Sequence, residues 1–198
     1  MKVAFETLSS LLPDAFAYEA AFSDMPEWRR TRCVALRLDD DRRRCVAAWK
    51  LLSRTLGEVG LPPSGFETVE NRYGKVDLSP RYGLHFSLSH SAEHVMVALA
   101  ECPVGCDVEE IAPADMDIAR ICCTPDEFAL IESLDGGERD RAFVKSWVRR
   151  ESLLKAIGCG FGKEVPPFHV LPWRVPDWNC LDYDWGDACL GAVVFQDT

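Results

Sequence analysis

The alternation of hydrophobic and polar positions predicts strands and helices in turn along the chain. Residues 42–56 carry apolar side chains at helical spacing, and glycines and prolines follow them. Residues 86–90 alternate as a half-buried strand does. Two short apolar runs, 95–100 and 104–109, predict further strands. Pro103 separates these two runs, which favours a hairpin between them.

The second part of the chain repeats this mixture. At Thr124 a helix is predicted to begin, because a capping hydroxyl is followed by Pro125 and two acids. Residues 141–157 form the clearest helical pattern, which Gly158 and Gly160 end. Residues 191–195 predict a final strand. Strands and helices do not alternate as regular βαβ units, so the predicted fold class is α+β.

The composition is that of a globular protein. Of 198 residues, 47% are hydrophobic and 27% are charged, which excludes disordered, collagenous and coiled-coil chains. No run approaches the ~20 apolar residues of a membrane span, and residues 1–6 lack the apolar region of a signal peptide. Nine cysteines occur without a Cys-x-x-Cys pair. They predict reduced thiols in a cytoplasmic protein and not a zinc site.

Charge is distributed unevenly. The chain has 22 Lys and Arg against 32 Asp and Glu, a net charge of −10, which argues against nucleic-acid binding. Residues 28–54 nevertheless carry nine cations and three acids. This basic segment indicates either a local anion site or a solvated helix face whose acids at 39–41 suit the helix dipole. Charge alone leaves both interpretations open.

Two carboxylates are candidates for metal binding. Asp107 and Glu109 are two apart on a predicted strand, so both side chains project from one face, and Glu110 points the other way. Oxygen ligands in this arrangement suit Mg²⁺, which proteins hold with one or two carboxylates plus phosphates and water. The alternative is an acidic strand edge that faces solvent.

Further polar groups fall on the neighbouring predicted elements. Trp147, Glu151 and Lys155 form one row at i, i+4 and i+8 of the long helix, although Glu and Lys at this spacing are also an ordinary stabilising pair. Ser89 and His90 face opposite sides of one strand, so they predict an anion site and not a hydrolase dyad. The glycine-rich stretch 158–163 is interpreted as a helix C-cap and a mobile loop.

The combination of motifs is more specific than any member. The order is His-Phe-Ser-Leu-Ser-His-Ser at 85–91, Val-Gly-Cys-Asp-Val-Glu at 104–109 and Trp-Val-Arg-Arg-Glu-Ser-Leu-Leu-Lys at 147–155. This resembles the Sfp-type 4′-phosphopantetheinyl transferases of the holo-carrier-protein synthase superfamily. Tyr-Gly-Lys at 73–75 and the helix start at 124–128 add to the resemblance, which covers about residues 28–195.

The resemblance implies an enzyme that transfers the phosphopantetheine arm of coenzyme A to a serine of an apo acyl or peptidyl carrier protein and releases 3′,5′-ADP. Asp107, Glu109 and Glu151 would hold Mg²⁺ with the pyrophosphate. Asp107, Glu151 and Lys155 would be catalytic, with Glu151 as the base for the serine and Lys155 on the pyrophosphate. The motifs do not specify which carrier protein is modified.

The resemblance also implies a set of residues that bind coenzyme A. Arg150 replaces the family's usual lysine and keeps a charge that can clamp phosphate. The basic segment offers further partners for the 3′-phosphate, with Arg29, Arg30 and Arg32 as the first candidates and no choice among the three. The full implied set is Lys75, Ser89, His90, Arg150, Lys155, Arg29, Arg30 and Arg32. Val148 and Cys106 also depart from the family pattern, but neither removes a proposed metal ligand.

The family fold implies two similar α+β halves, 1–102 and 103–198, related by a pseudo-twofold axis with the active site in the cleft between them. Both halves in one chain predict a monomer. Two other functions use the same residues. One is a Mg²⁺-dependent phosphohydrolase that acts on coenzyme A or a nucleotide diphosphate, and the other is a non-catalytic module that binds coenzyme A or a carrier protein. The presence of all four of Asp107, Glu109, Glu151 and Lys155 argues against the binding module.

Overall fold

The computed structural model of the protein describes residues 1–160 and 168–197. Within them the strands are β1 (Lys2–Thr7), β2 (Thr68–Glu70), β3 (Val76–Leu78), β4 (His85–Ser91), β5 (His94–Ala100), β6 (Val104–Glu110), β7 (Trp178–Asp184) and β8 (Cys189–Gln196). The helices are α1 (Leu8–Leu11), α2 (Ala15–Ser23), α3 (Glu27–Val34), α4 (Asp39–Glu58), α5 (Met116–Cys122), α6 (Pro125–Ser133) and α7 (Gly136–Ile157).

The fold is α+β, as predicted. Two antiparallel sheets of three strands have the orders β1-β5-β4 and β6-β8-β7, and β2 and β3 form a small separate ribbon. The predicted hairpin between residues 95–100 and 104–109 is wrong. Strand β5 has β1 on one edge and β4 on the other, so it has no free edge for β6, which pairs with β8 instead.

Helix α4 covers the first sheet. It begins at Asp39, earlier than the periodicity predicts, because three aspartates in its first turn suit the helix dipole. Its apolar face buries Val46, Trp49, Leu52 and Leu56 in the larger hydrophobic core, against β5 residues such as Val97 and Leu99. Burial of this face is the main term that stabilises the helix, since its isolated propensity is modest.

Helix α7 packs on the second sheet and ends at Gly158, whose φ of 81° is the left-handed conformation that glycine adopts freely. The helix crosses β6 at Gly105. A Cβ on Gly105 would lie 1.9 Å from the carbonyl oxygen of Ser152. Glycine at this position therefore lets strand and helix approach closely enough for their side chains to share one site.

Hydrogen bonds join the two sheets where β4 faces β6. The backbone N–H of Cys106 donates to Ser87 Oγ at 3.0 Å. Away from this seam, the rings of Phe5 and Trp185 stack with centroids 3.7 Å apart, which ties β1 to the turn between β7 and β8. The division into halves at 102/103 and the pseudo-twofold axis remain predictions.

Two findings concern the sequence predictions on cysteines and membranes. Every cysteine lies in the described residues, and no disulfide joins any two of them. In the ranges 1–160 and 168–197, no helix combines the length and the apolar character that a membrane crossing requires.

Candidate active site

Two serines of β4 hold two carboxylates of β6. Ser89 Oγ donates to Asp107 Oδ1 at 2.6 Å, and Ser91 Oγ donates to Glu109 Oε2 at 2.5 Å. The period of two in both strands explains the match, since alternate residues of each strand meet across the seam. The predicted common face of Asp107 and Glu109 is therefore confirmed, and Asp107 is almost completely buried there.

Helix α7 adds an ammonium group and a third carboxylate. Lys155 Nζ donates to Asp107 Oδ1 at 2.7 Å and to Ser89 Oγ at 3.2 Å. Glu151 lies one turn earlier on the same face and is half-buried. The helical row thus points at the strand face, and the cluster of Asp107, Glu109, Glu151 and Lys155 has a formal charge of −2.

The electrostatics of this cluster follow from burial and like charge. Burial raises the pKa of Glu109, and the carboxylates of Asp107 and Glu151 raise it further. Burial also raises the pKa of Glu151, against the opposing effect of Lys155. Burial alone would lower the pKa of Lys155, but the charge of Asp107 and the hydrogen bond to it, together with the charges of Cys106 and Glu151, outweigh burial and raise the pKa. The ammonium therefore stays charged at neutral pH.

The carboxylates of the cluster are the kind of oxygen donors that bind a hard divalent cation. Asp107 Oδ2 is buried and has no hydrogen-bond partner among the described residues, and three carboxylates are the oxygen ligands that Mg²⁺ prefers. The set is not preassembled. Within the described part of the chain no three His, Cys, Asp or Glu side chains converge as a metal site, and Lys155 Nζ lies on Asp107 Oδ1.

His90 points to the other side of β4, towards the basic segment. Burial lowers its pKa to about 4, and the charges of Lys155, Arg29 and Arg44 act in the same direction. The imidazole is therefore neutral in a positively charged environment. Arg44 was not singled out from the sequence, although it precedes the buried Ala48 by one helical turn, a spacing that directs it towards the sheet.

The three arginines predicted for the 3′-phosphate have different surroundings. Arg29 Nε is buried and lacks a hydrogen-bond partner in the described residues. The guanidinium of Arg30 donates to the carbonyl oxygens of Ser23 and Met25, and Arg32 forms an exposed ion pair with Glu70 at 2.7 Å. Of the three, Arg29 is the one whose charge reaches His90.

Lys75 lies apart from the carboxylates, in a cleft of about 280 Å³ beside the end of α7. Its Nζ donates to the carbonyl oxygen of Val104 at 3.2 Å, and burial lowers its pKa. The neighbouring Asn71 Nδ2 donates to the carbonyl oxygen of Gly158 at 2.7 Å. These two bonds connect the β2–β3 segment to β6 and α7.

The structure does not bring Arg150 to the cluster. Its guanidinium is buried and donates to Glu127 Oε2 at 2.8 Å and to the carbonyl oxygen of Phe168. Adjacent residues of a helix differ in direction by about 100°, so Arg150 and Glu151 face different surroundings. The phosphate clamp expected of Arg150 therefore lacks geometric support, and its contacts are those of a buried structural pair.

Glu127 is a buried group that the sequence did not identify. It closes a capping box with Thr124, the predicted N-cap, and accepts hydrogen bonds from the backbone N–H groups of Val170 and Leu171. Burial would raise its pKa, but the backbone donors and Arg150 more than offset this and lower it. The Glu at the third position after Thr124 signalled a cap but not this second set of partners.

Trp147 lines an apolar cleft of about 230 Å³ with Phe143 and Ile118, next to Glu109. The helical row thus supplies an apolar wall as well as a carboxylate. The C-cap predicted at Gly158 is confirmed. The mobile loop predicted at 158–163 extends into residues 161–167, which lie outside the described residues.

Comparisons with known proteins define the family. The profile of the 4′-phosphopantetheinyl transferase superfamily matches residues 103–183. A 4′-phosphopantetheinyl transferase of Bacillus subtilis is 26% identical over 143 residues, 72% of this chain and 64% of the relative. The transferase gsp of Aneurinibacillus migulanus is 35% identical over 112 residues, 57% of this chain and 46% of the relative.

The match to a third relative covers a larger share of both chains than the two matches above. The 4′-phosphopantetheinyl transferase HetI of Nostoc sp. (strain PCC 7120) is 30% identical over 169 residues, which are 78% of this chain and 71% of the relative. The chain spans only 64% and 46% of the lengths of the Bacillus and Aneurinibacillus relatives. The chain belongs to the 4′-phosphopantetheinyl transferase superfamily.

Proposed function

We propose that this protein transfers 4′-phosphopantetheine from coenzyme A to a serine of an apo acyl or peptidyl carrier protein and releases 3′,5′-ADP. The observation that carries the proposal is the contact of Lys155 with the buried Asp107, flanked by Glu109 and Glu151, in a member of this superfamily. A cluster of carboxylates with one ammonium suits the transfer of a phosphoryl group between oxygens.

Asp107, Glu109 and Glu151 would hold Mg²⁺ in this proposal. The ion would neutralise the pyrophosphate and stabilise charge on the transferred group. The formal charge of −2 in the cluster and the unpartnered Asp107 Oδ2 support a divalent cation there. In the absence of the ion, Lys155 supplies the countercharge to Asp107.

The remaining steps belong to side chains of this chain. Glu151 accepts the proton of the carrier serine, and its raised pKa makes it a stronger base than an exposed carboxylate. Lys155 donates to the pyrophosphate oxygens as 3′,5′-ADP leaves, which offsets the charge that develops there. His90 donates to a coenzyme A phosphate from its neutral imidazole, with Arg29 and Arg44 adding positive charge nearby.

The direct test is intact-protein mass spectrometry of apo carrier proteins incubated with this protein, coenzyme A and Mg²⁺. A transfer adds about 340 Da to the carrier and is lost when EDTA removes the metal. Fatty-acid, polyketide, peptidyl and lysine-pathway carriers in one assay rank the substrates. The Glu151→Gln variant should lose transfer at least ~100-fold, and Glu138→Gln, an exposed site in the first turn of the same helix, is the matched control.

The same assay distinguishes the two other functions. Free phosphopantetheine without any gain of mass on a carrier would identify a hydrolase. Saturable binding of coenzyme A without either product would identify a binding module. Full transfer by Glu151→Gln at saturating Mg²⁺ would show that Glu151 is neither ligand nor base.

The proposal includes an assembly and a location. The two three-stranded sheets fall on either side of residues 101–103, which supports halves at 1–102 and 103–198 with the cluster at their seam. A monomer with one active site is expected, and light scattering during size-exclusion chromatography measures it. The nine thiols without a disulfide suit the reducing cytoplasm.

A further inference from the structure

Two adjacent cysteines lie at the junction between α5 and α6. Cys122 is the last residue of α5, Cys123 is its C-cap, and Thr124 begins the next helix as its N-cap. The two Sγ atoms are 4.0 Å apart, and both residues are partly exposed. The pair lies outside the proposed active site and has no part in the mechanism above.

The surroundings make the two thiols unequal. Cys123 Sγ is 3.5 Å from Ser146 Oγ of α7. The contact with Cys122 lowers the pKa of Cys123, and the contact with Ser146 and the charge of Arg150 lower it further against the effect of burial. The same contact raises the pKa of Cys122. The pair therefore combines a thiol that ionises more readily than an ordinary cysteine with a neighbouring thiol that ionises less readily.

Several other cysteines lack this character. Burial raises the pKa in each of them, so they stay protonated and react slowly. These cysteines are Cys33, Cys106, Cys180 and Cys189. A thiolate that is partly exposed and has a second thiol beside it is the arrangement that thiol–disulfide exchange requires.

We propose that Cys122 and Cys123 form a thiol–disulfide exchange site whose substrate is a small-molecule disulfide such as glutathione disulfide. The Cys123 thiolate attacks one sulfur, so the bond of the small disulfide breaks and one glutathione thiolate leaves. Cys122 then gives up its proton and attacks Cys123 Sγ, which closes the Cys122–Cys123 bond and expels the second glutathione thiolate. The protein loses two electrons and two protons, and two glutathione thiols are formed.

The junction makes this oxidation reversible. Consecutive Cα atoms are about 3.8 Å apart, whereas disulfides usually join Cα atoms about 4.4–6.8 Å apart. A bond between neighbours is strained and easily reduced. Closing it also changes the backbone that leads into Thr124, whose N–H donates to Glu127. Oxidation of the pair therefore changes the backbone at a helix cap and not in a free loop.

The test uses the whole protein in buffers of increasing ratio of oxidised to reduced glutathione. Samples are quenched with acid, alkylated and mapped as peptides by mass spectrometry. We expect the peptide with residues 122 and 123 to escape alkylation, with a mass about 2 Da below that of its unalkylated dithiol form, before other cysteines react. After excess reduced glutathione, both cysteines should be alkylated again. In Cys122→Ser, reaction should stop at a glutathione adduct on Cys123. Cys102→Ser, a half-buried cysteine outside the pair, should leave the pattern unchanged.

Two results would overturn the proposal. One is oxidation of the pair no faster than that of Cys102. The other is a stable glutathione adduct on Cys123 of the unsubstituted protein, because Cys122 would then not resolve it. The mapping of the unsubstituted protein decides the matter even where a variant does not fold. Neither result depends on carrier modification, so the outcome is independent of the proposed transferase activity.

Discussion

Lys155 is the one cation in contact with Asp107 among the residues that the structure describes, and it occupies a carboxylate oxygen that a metal would otherwise use. Replacing it leaves the buried carboxylate with the Ser89 hydroxyl but without a countercharge, and breaking a buried ion pair typically costs about 3–5 kcal/mol. Lys155→Met should therefore lower the melting temperature. Transfer should fall about 10²–10³-fold, since a donor to the leaving group is lost.

Calorimetry with and without Mg²⁺ tests the same variant. We expect Mg²⁺ to raise the melting temperature of Lys155→Met more than that of the unsubstituted protein, because the ion can replace the missing charge on Asp107. Lys145→Met is the control on the same helix, since Lys145 pairs with Asp182 on another face. If Mg²⁺ shifted the melting temperature of all three proteins equally, Asp107 would not be a ligand of the metal.

His90 carries a prediction about pH. Its pKa of about 4 is below the ordinary value of 6.5, so the unfolded chain takes up a proton between these values and the folded chain does not. The contribution of His90 to stability is full above pH 6.5 and decreases as the pH falls towards 4. Urea unfolding at pH 7.5 and 5 should show a smaller acid loss for His90→Gln than for the unsubstituted protein.

A titration of His90 by NMR provides the second measurement. In the free protein the imidazole should stay neutral at pH 5. Bound coenzyme A should raise its pKa, because phosphate charge offsets that of Lys155, Arg29 and Arg44. If the pKa of His90 did not change when coenzyme A is bound, the phosphates would not lie beside His90.

The crossing of β6 and α7 depends on Gly105. A methyl group there would meet the carbonyl oxygen of Ser152 at 1.9 Å and the backbone nitrogen of Ala156 at 2.4 Å. Gly105→Ala should separate strand from helix and destabilise the fold by about 1–3 kcal/mol or more. Transfer should fall as well, because Lys155 then moves away from Asp107.

Gly137 is the matched control for this substitution. It lies in the first turn of the same helix, and a Cβ there meets nothing within 4 Å. Gly137→Ala should raise stability by about 0.5–1 kcal/mol, since alanine is the better helix former. Chemical denaturation measures both variants. If Gly105→Ala did not change the stability, the close approach of β6 and α7 would not be required.

The elements with a clear periodic pattern were predictable, because periodicity is local, whereas β1, α2, α3, α5 and β7 were not predicted. The helices at 42–56 and 141–157 and the strands at 86–90, 95–100, 104–109 and 191–195 were all found, with their ends displaced by a few residues. The strand partners were not. A short apolar run has the same pattern whichever strand it pairs with, so the hairpin across Pro103 was inferred from proximity in sequence and was wrong.

In the candidate site, too, local features were predictable and contacts between distant elements were not. The spacing of Asp107 and Glu109 fixed their common face, because a strand has a period of two. Their partners Ser89 and Ser91 depend on how two separate sheets meet, which no local pattern specifies. Arg150 was assigned by motif position, but its direction on the helix leads to Glu127 instead.

The two sheets join into one molecule through the seam between β4 and β6 and through the stack of Phe5 on Trp185. The stack is the more easily tested contact, because neither ring is part of the carboxylate cluster or of the basic segment. Aromatic pairs typically contribute about 0.5–1.5 kcal/mol beyond burial. A double-mutant cycle with Phe5→Leu and Trp185→Leu should give a coupling energy in that range.

The cycle also tests whether the sheets unfold together. Trp49 reports on the first core and Trp173 on the second. The difference in fluorescence between the protein and its Trp49→Phe or Trp173→Phe variant, each with Trp185 kept, therefore follows each sheet separately. If the contacts across the seam couple the sheets, both probes report one transition, and Phe5→Leu shifts both to lower denaturant by the same amount. A shift confined to Trp49 would show that the second sheet is stable alone. The carboxylates of β6 and the lysine of α7 would then be held in place without the first sheet, and β4 would supply only their serine partners.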